Sequence, residues 1–335
     1  MVMDQSGVSK TRRWCAGVLS ALAMWASPLY AVSLEKYPQL AELADRLDGV
    51  EGLQGQKMKS WFRDAKIQTK IIDAMNRPAE RLSWHRYQSL FVNPASINGG
   101  IQFLKQHAQI LATAEERFGV PAEIIVAIIG IETRYGKVMG SLRVLDSLVT
   151  LSVEYPRRSK FFSSELEHFM QLVAEQGLDP LAIKGSYAGA MGIPQFMPSS
   201  YRNYAVDFDG DGRADLLNSV ADAIGSAANY LARHRWAPNE AIVTRVLNAP
   251  EGLDDMVTRK LSPHSPLSSV RALNIPVSGD DADEKVGVMR FEGKLGPDYR
   301  LGHHNFFVIT RYNRSQNYAM SVFELAEQIA SATGN

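Results

Sequence analysis

Among the 335 residues, one carboxyl group sits where proton-transfer chemistry is plausible. Glu132 follows Ile124-Ile125-Val126-Ala127-Ile128-Ile129-Gly130-Ile131, the most apolar helical run of the chain, and precedes Thr133-Arg134-Tyr135-Gly136. Pro121 opens this helix at a favoured first-turn position. A helix apolar almost all round belongs inside a core. Burial disfavours the charged form of a carboxyl, so a raised pKa is expected for Glu132. An acid that keeps its proton near neutral pH can pass it to a leaving oxygen. The spacing alone leaves a second reading open, a glutamate paired with Arg134 or another basic residue at a helix end.

Two loops add chemistry. Gly185-Ser186-Tyr187-Ala188-Gly189-Ala190-Met191-Gly192-Ile193-Pro194-Gln195-Phe196-Met197-Pro198 is dense in small residues, which let a ligand approach the backbone. Gln195 offers amide groups, and Tyr187 and Phe196 offer ring faces; a tightly packed turn is the alternative. Asp207-Phe208-Asp209-Gly210-Asp211-Gly212-Arg213-Ala214-Asp215 places carboxylates at the first, third, fifth and ninth positions of an EF-hand loop. Glycine holds the sixth position and the Arg213 carbonyl the seventh. Asn218 replaces the usual glutamate at the twelfth. Hard oxygen ligands point to Ca2+ in a structural role, against the alternative of an acidic turn without an ion. His303-His304 is a weaker pair, because adjacent side chains point apart.

The elements that must position these residues are mostly helical. Apolar stripes at Leu40, Leu43, Leu47 and Val50, and at Met58, Trp61, Phe62 and Ala65, predict helices between about Ser33 and Asn93. Asn93-Pro94 breaks the run. One long helix is expected next, with Ile101, Leu104, Ala108 and Leu111 on a face and an end near Gly119. Further helices are expected around Leu142–Leu151, Lys160–Ala174, Asp222–His234 and Tyr318–Ala332. Between about Glu240 and Arg300 the texture turns β-rich, in Ile242–Val246, Val270–Leu273 and Val286–Phe291.

Charge is balanced, 36 Lys+Arg against 36 Asp+Glu, which gives no electrostatic ground for a nucleic-acid partner. At 45% hydrophobic content the chain can bury a sizeable core. Lys10, Arg12 and Arg13, the short apolar run Trp14–Trp25 and Ala31 form a secretory signal peptide ending near Ala31. Arg12, Arg13 and Trp14 before Cys15, the only cysteine, argue against lipidation.

Five stretches resemble the lytic transglycosylase B family, in the same order along nearly the whole mature chain. They are Ile128–Gly136, Tyr155-Pro156-Arg157-Arg158, the glycine loop with Ser199-Ser200-Tyr201, Asp222-Ala223-Ile224-Gly225-Ser226, and Ile309-Thr310-Arg311-Tyr312-Asn313. The resemblance implies an α+β, mainly α fold: a lysozyme-like core (96–238), an N-terminal α-helical subdomain (32–95), a small antiparallel β subdomain (239–304) and a C-terminal return (305–335). It implies cleavage of the bond between N-acetylmuramic acid and N-acetylglucosamine in peptidoglycan, leaving a 1,6-anhydromuramic end. Glu132 matches the family's single acid/base. Ser186 and Gln195 match groups lining the cleft. Tyr87, Tyr230, Tyr312, Asn313 and Tyr318 match residues around the sugars, and Arg157 and Arg158 a pair facing peptide carboxylates. Asp222 joins Asp207, Asp209, Asp211 and Arg213 as a metal ligand. Glycan strands are the implied partner, with cell-wall synthases as candidate protein partners, in the periplasm and without a stable membrane anchor. Ile193-Pro194 stands where the family has an aromatic-glycine pair, and Tyr135 where tryptophan is common; both bear on the shape of one sugar subsite. A hydrolytic muramidase and a non-catalytic peptidoglycan-binding protein are the rival readings.

Overall fold

The structure is a computed structural model that describes residues 32–77, 82–277 and 284–334. The expected signal peptide and Cys15 lie outside the described residues. The chain begins with α1 (Pro38–Arg46), α2 (Gly55–Asp64), α3 (Thr69–Met75) and α4 (Trp84–Phe91), followed by α5 (Pro94–Gln106), α6 (Ala108–Phe118) and α7 (Ala122–Thr133). Then come β1 (Leu142–Arg143), α8 (Val144–Glu154), α9 (Ser159–Gln176), β2 (Lys184–Gly185), α10 (Pro198–Tyr204) and α11 (Val220–Arg233). The β-rich part holds β3 (Val243–Val246), β4 (Ser265–Pro266), α12 (Leu267–Arg271), β5 (Lys285–Gly293) and β6 (Gly296–Gly302). Two helices close the chain, α13 (His304–Tyr312) and α14 (Gln316–Thr333).

Helix α7 is the hub. Ile124 through Gly130 are all buried, and α5, α6, α11 and α14 pack around it. Its apolar circumference therefore has a helix on every side, as a helix without a polar face requires. One continuous hydrophobic core runs from Val32 to Ile329 and includes all four N-terminal helices. A second, smaller core lies within residues 246–301.

The antiparallel sheet, in the order β3-β6-β5-β4, separates the two. Side chains alternate along a strand, and β5 uses both faces. Val286 and Val288 enter the small core, while Met289 and Phe291 enter the large one. Phe291 packs on Trp84 of α4, ring centroids 5.0 Å apart. Gly287 is required on that second face, because a Cβ there would lie 2.3 Å from the Phe307 ring.

Two expected elements differ. The single long helix is divided at His107 (φ −116°, ψ 23°) into α5 and α6. The His107 ring stays against Phe103, centroids 4.6 Å apart, so the chain changes direction without losing the packing. Val270–Leu273, expected as strand, belongs instead to the end of α12 and the turn after it. Leu267 and Val270, three residues apart, share the small core on one helical face.

Candidate active site

Glu132 occupies the last turn of α7 and is half-buried. The three residues closing that turn are left-handed in succession: Arg134 (φ 50°), Tyr135 (φ 63°) and Gly136 (φ 80°). Two non-glycine residues in this region store strain, and the surrounding contacts must hold them there. Thr133 supplies one set. Its hydroxyl donates to the Ile193 carbonyl at 2.8 Å and accepts from the Gly136 N–H at 3.0 Å. The end of α7 is thereby tied to the glycine loop. Tyr135 supplies the other, its hydroxyl donating to the Ser96 carbonyl at 2.6 Å. Its ring fills a space that Gly99 and Gly130 leave open; a Cβ on either would come within 2.6 Å of it. Tyr135 thus packs between α5 and α7.

Behind Glu132 stand tyrosines. Ser315 caps α14, accepting from the Tyr318 N–H at 3.2 Å. This fixes Tyr318 so that its hydroxyl donates to Glu132 Oε1 at 2.6 Å. The Tyr312 ring stacks parallel to that of Tyr318, 6.4 Å away and tilted by 13°, and its hydroxyl donates to the Pro194 carbonyl at 2.7 Å. Tyr230 donates to the Arg311 carbonyl at 2.7 Å and packs on Tyr312, Phe196 and His234. Tyr87 is buried on α4 near Tyr318. Burial first, and the charge of Glu132 next, push Tyr312 and Tyr318 well above the ordinary phenol range. Tyr318 therefore remains a proton-bearing donor toward the carboxylate. Tyr87, Tyr230 and Tyr318 are packed as a wall and not spread as open platforms. Phe196, expected as a ring face, is buried in the same cluster, whereas Tyr187 is exposed.

The glycine loop is held by its own polar groups. The Ser186 hydroxyl accepts from the Ala190 N–H at 3.1 Å, and the Ser186 carbonyl accepts from the Ser147 hydroxyl at 3.2 Å. Gln195 is left-handed (φ 51°), and its amide donates to the carbonyls of Gly192 and Met139 at 2.9 and 3.2 Å. Asn313 ends α13 between Tyr312 and the capping turn of α14. Arg157 and Arg158 are exposed on a single helical turn between α8 and α9. Arg158 lies over the Phe161 ring at 4.2 Å. The two histidines separate as expected: His303 contacts Thr244 and Glu284, and His304 the Arg235 carbonyl.

In the acidic loop, carboxylate oxygens of Asp207, Asp209 and Asp211 lie within 4.8 Å of one another and face solvent. Gly212, at the sixth position, has φ 93°. Asp207 accepts from the N–H groups of Gly210 and Gly212, and Arg213 N–H donates to Asp211, which leaves the Arg213 carbonyl at the loop's seventh position. Three converging carboxylates suit a hard divalent cation such as Ca2+. Asp222 is different. It is fully buried, and its oxygens accept from the N–H groups of Phe208, Asp209 and Asp215. The group of carboxylates that converge is made of Asp207, Asp209 and Asp211 without it. Asp215 likewise accepts from Leu217 and Asn218.

Sequence reasoning passed over Thr133, whose type gives no signal, and the joint between the two loops. The Ile193 N–H donates to the Leu216 carbonyl at 2.9 Å, and a Cβ on Gly192 would meet that carbonyl oxygen at 2.4 Å.

A half-buried carboxyl, a wall of tyrosines and a small-residue loop meet on a mainly helical fold of the lysozyme-like class. The profile of the family described as Transglycosylase SLT domain matches residues 36–327. The membrane-bound lytic murein transglycosylase B of Escherichia coli (strain K12) is 38% identical over 306 residues, covering 88% of this chain and 83% of that protein. The crystal structure of the soluble lytic transglycosylase SltB1 from Pseudomonas aeruginosa superposes with a TM-score of 0.83 at 47% identity, covering 89% of this chain and all of that one. The Escherichia coli lytic transglycosylase Slt35, solved in complex with calcium, gives 0.82 at 36% identity, covering 92% and 97%. The chain belongs to the transglycosylase SLT domain family, and it is a peptidoglycan lytic transglycosylase, a lyase.

Proposed function

We propose that Glu132 carries both proton transfers of the reaction. The observation that carries this reading is the 2.6 Å hydrogen bond from the buried Tyr318 hydroxyl to Glu132 Oε1. It aims one carboxyl at the end of the apolar helix α7. Most glycosidases use two carboxylates; here the substrate supplies the second group. Glu132 gives its proton to the glycosidic oxygen as the bond to the muramic C1 breaks. The oxygen of the sugar's own N-acetyl group closes on C1. Glu132, now a carboxylate, takes the proton from the C6 hydroxyl, and that oxygen attacks C1, displaces the acetamido oxygen and closes the anhydro ring. Holding the ring for this internal attack is a matter of orientation, the role given to Ser186, Gln195, Tyr312 and Asn313. Glu132→Gln should lower turnover by roughly a hundred- to ten-thousandfold with glycan binding retained. Near-wild-type turnover would remove the assignment.

The acidic loop is read as a structural Ca2+ site formed by Asp207, Asp209, Asp211 and the Arg213 carbonyl. Asp222 organises the loop backbone from behind. The bound ion would balance three like charges and fix the loop; it takes no part in the proton transfers. The enzyme is read as exported to the periplasm after loss of residues 1–31. Cell-wall synthases are its candidate protein partners. Among the described residues no helix is long and apolar enough to cross a membrane.

A further inference from the structure

Asp146, on the first turn of α8, is a buried carboxylate outside the proton transfers assigned to Glu132. Its oxygens accept four hydrogen bonds. Two come from the strap between α2 and α3: the Lys66 N–H at 3.0 Å and the Gln68 side-chain amide at 3.1 Å. Two come from the Arg143 guanidinium of β1, by Nε at 3.1 Å and Nη2 at 2.8 Å. The same guanidinium grips the end of α2, donating to the Asp64 carboxylate at 2.6 Å and to the Asp64 carbonyl at 2.9 Å. One turn further along α8, the Thr150 hydroxyl accepts from the Gln68 N–H at 3.1 Å.

The stretch that holds the strap also holds the glycine loop. Leu142 and Arg143 of β1 pair with Gly185 and Lys184 of β2, and the Val144 N–H donates to the Ile183 carbonyl at 3.0 Å. The hydroxyl of Ser147, the residue after Asp146, donates to the Ser186 carbonyl at 3.2 Å. The fit is tight: a Cβ on Gly140 would lie 2.1 Å from the Gly185 carbonyl. A shift of β1 or of the first turn of α8 is therefore passed on to Ser186, because close-packed contacts transmit strain.

We propose that Asp146 is a positioning residue for the reaction: it clamps the N-terminal helices to β1 and α8, and through them fixes the place of Ser186. The proposal rests on the reading of Ser186 as a residue that orients the sugar ring. The N-terminal helices then act on the reaction from outside the site, as the anchor of one of its walls. An ionised carboxylate suits this post because it only accepts, and the groups it meets are donors. An amide in its place keeps one oxygen and turns its own N–H groups toward donors. The hydrogen bonds lost leave buried groups without a partner, and the clamp loosens. A sugar ring held less firmly is slower to bring its C6 oxygen onto C1, whereas attack by water has no such alignment to lose.

The test is the partition between anhydro and hydrolysed muramic ends, read by mass spectrometry after digestion of sacculi in heavy-oxygen water. A ratio of products does not depend on how much of the enzyme is folded. Asp146→Asn should lower kcat by roughly ten- to a hundredfold and raise the share of labelled reducing ends above that of the wild type. Ser147→Ala removes one hydroxyl and leaves the clamp in place, so it should shift the partition the same way by less. It carries the test if Asp146→Asn does not fold. Ser186→Ala should shift the partition too, and adding Asp146→Asn to it should shift it no further, because the two act at one point. An unchanged partition in Asp146→Asn and Ser147→Ala, beside a shifted one in Ser186→Ala, would overturn the proposal. So would effects of Asp146→Asn and Ser186→Ala that add in full. Wild-type rate and partition in Ser186→Ala would instead refute the reading of Ser186, and the proposal with it.

Discussion

Glu132 is defined at the residue scale by its partner as much as by its burial. The Tyr318 hydroxyl donates to it and is kept protonated by burial and by the carboxylate's own charge. A hydrogen bond to a charged group contributes about 1.5–3 kcal/mol. Tyr318→Phe should therefore lower kcat by roughly ten- to a hundredfold. KM should barely move, because this buried ring is part of the wall and the strand lies beyond it. A change confined to KM, in steady-state kinetics on sacculi, would contradict the role. Glu132 was legible in the sequence because its apolar run is local. Tyr318 was legible only through the family resemblance. Its contact closes across 186 residues, and no local pattern encodes a pair so far apart.

The elements show the same division between what is local and what is not. The all-apolar α7 announced its central place, and the acidic loop announced its turn through spacing alone. The break at His107 has neither proline nor glycine to mark it, and the helix at Leu267–Arg271 is too short for its period to outweigh β-rich neighbours. The fit of Tyr135 between α5 and α7 depends on glycines drawn from both helices, again a tertiary fact. Gly130→Ala would drive a Cβ to within 2.6 Å of the Tyr135 ring. Overpacking of this kind costs about 1–3 kcal/mol, so the melting temperature should fall by several degrees, with activity reduced through displacement of the Glu132 turn. An unchanged melting curve would show that the ring has room to move.

Across the whole molecule, the acidic loop and the active-site loop are one mechanical unit. Tyr201, pushed up to about 12 chiefly by burial, donates to the Ala214 carbonyl and accepts from the Leu216 N–H. The Leu216 carbonyl in turn accepts from Ile193. Ca2+ at a hundred times its dissociation constant would add about 2.7 kcal/mol. Melting in Ca2+ against chelator should separate the two wild-type curves and leave those of Asp209→Ala together. Coincident wild-type curves would remove the ion. A second global property is pH dependence. Burial raises the Glu324 carboxyl above its ordinary 4.5, with Gln88 and Arg300 pulling it down. The folded state therefore holds that proton more tightly than the unfolded chain. The stability this group contributes is whole below the ordinary value and is lost as pH rises through the raised one. Glu324→Gln does not titrate, so its melting temperature relative to wild type should climb as the pH rises above the ordinary carboxyl value. A constant difference would contradict the shift.

The central claim is that one carboxyl and the substrate's own groups complete the cleavage without water. Digestion of purified sacculi in heavy-oxygen water, followed by mass spectrometry of the muramic ends, tests it most directly. Wild-type enzyme should give ends lighter by one water and free of the heavy label, and Glu132→Gln should give almost none. Labelled reducing ends would make the enzyme a hydrolase, and undiminished product from Glu132→Gln would place the acid elsewhere.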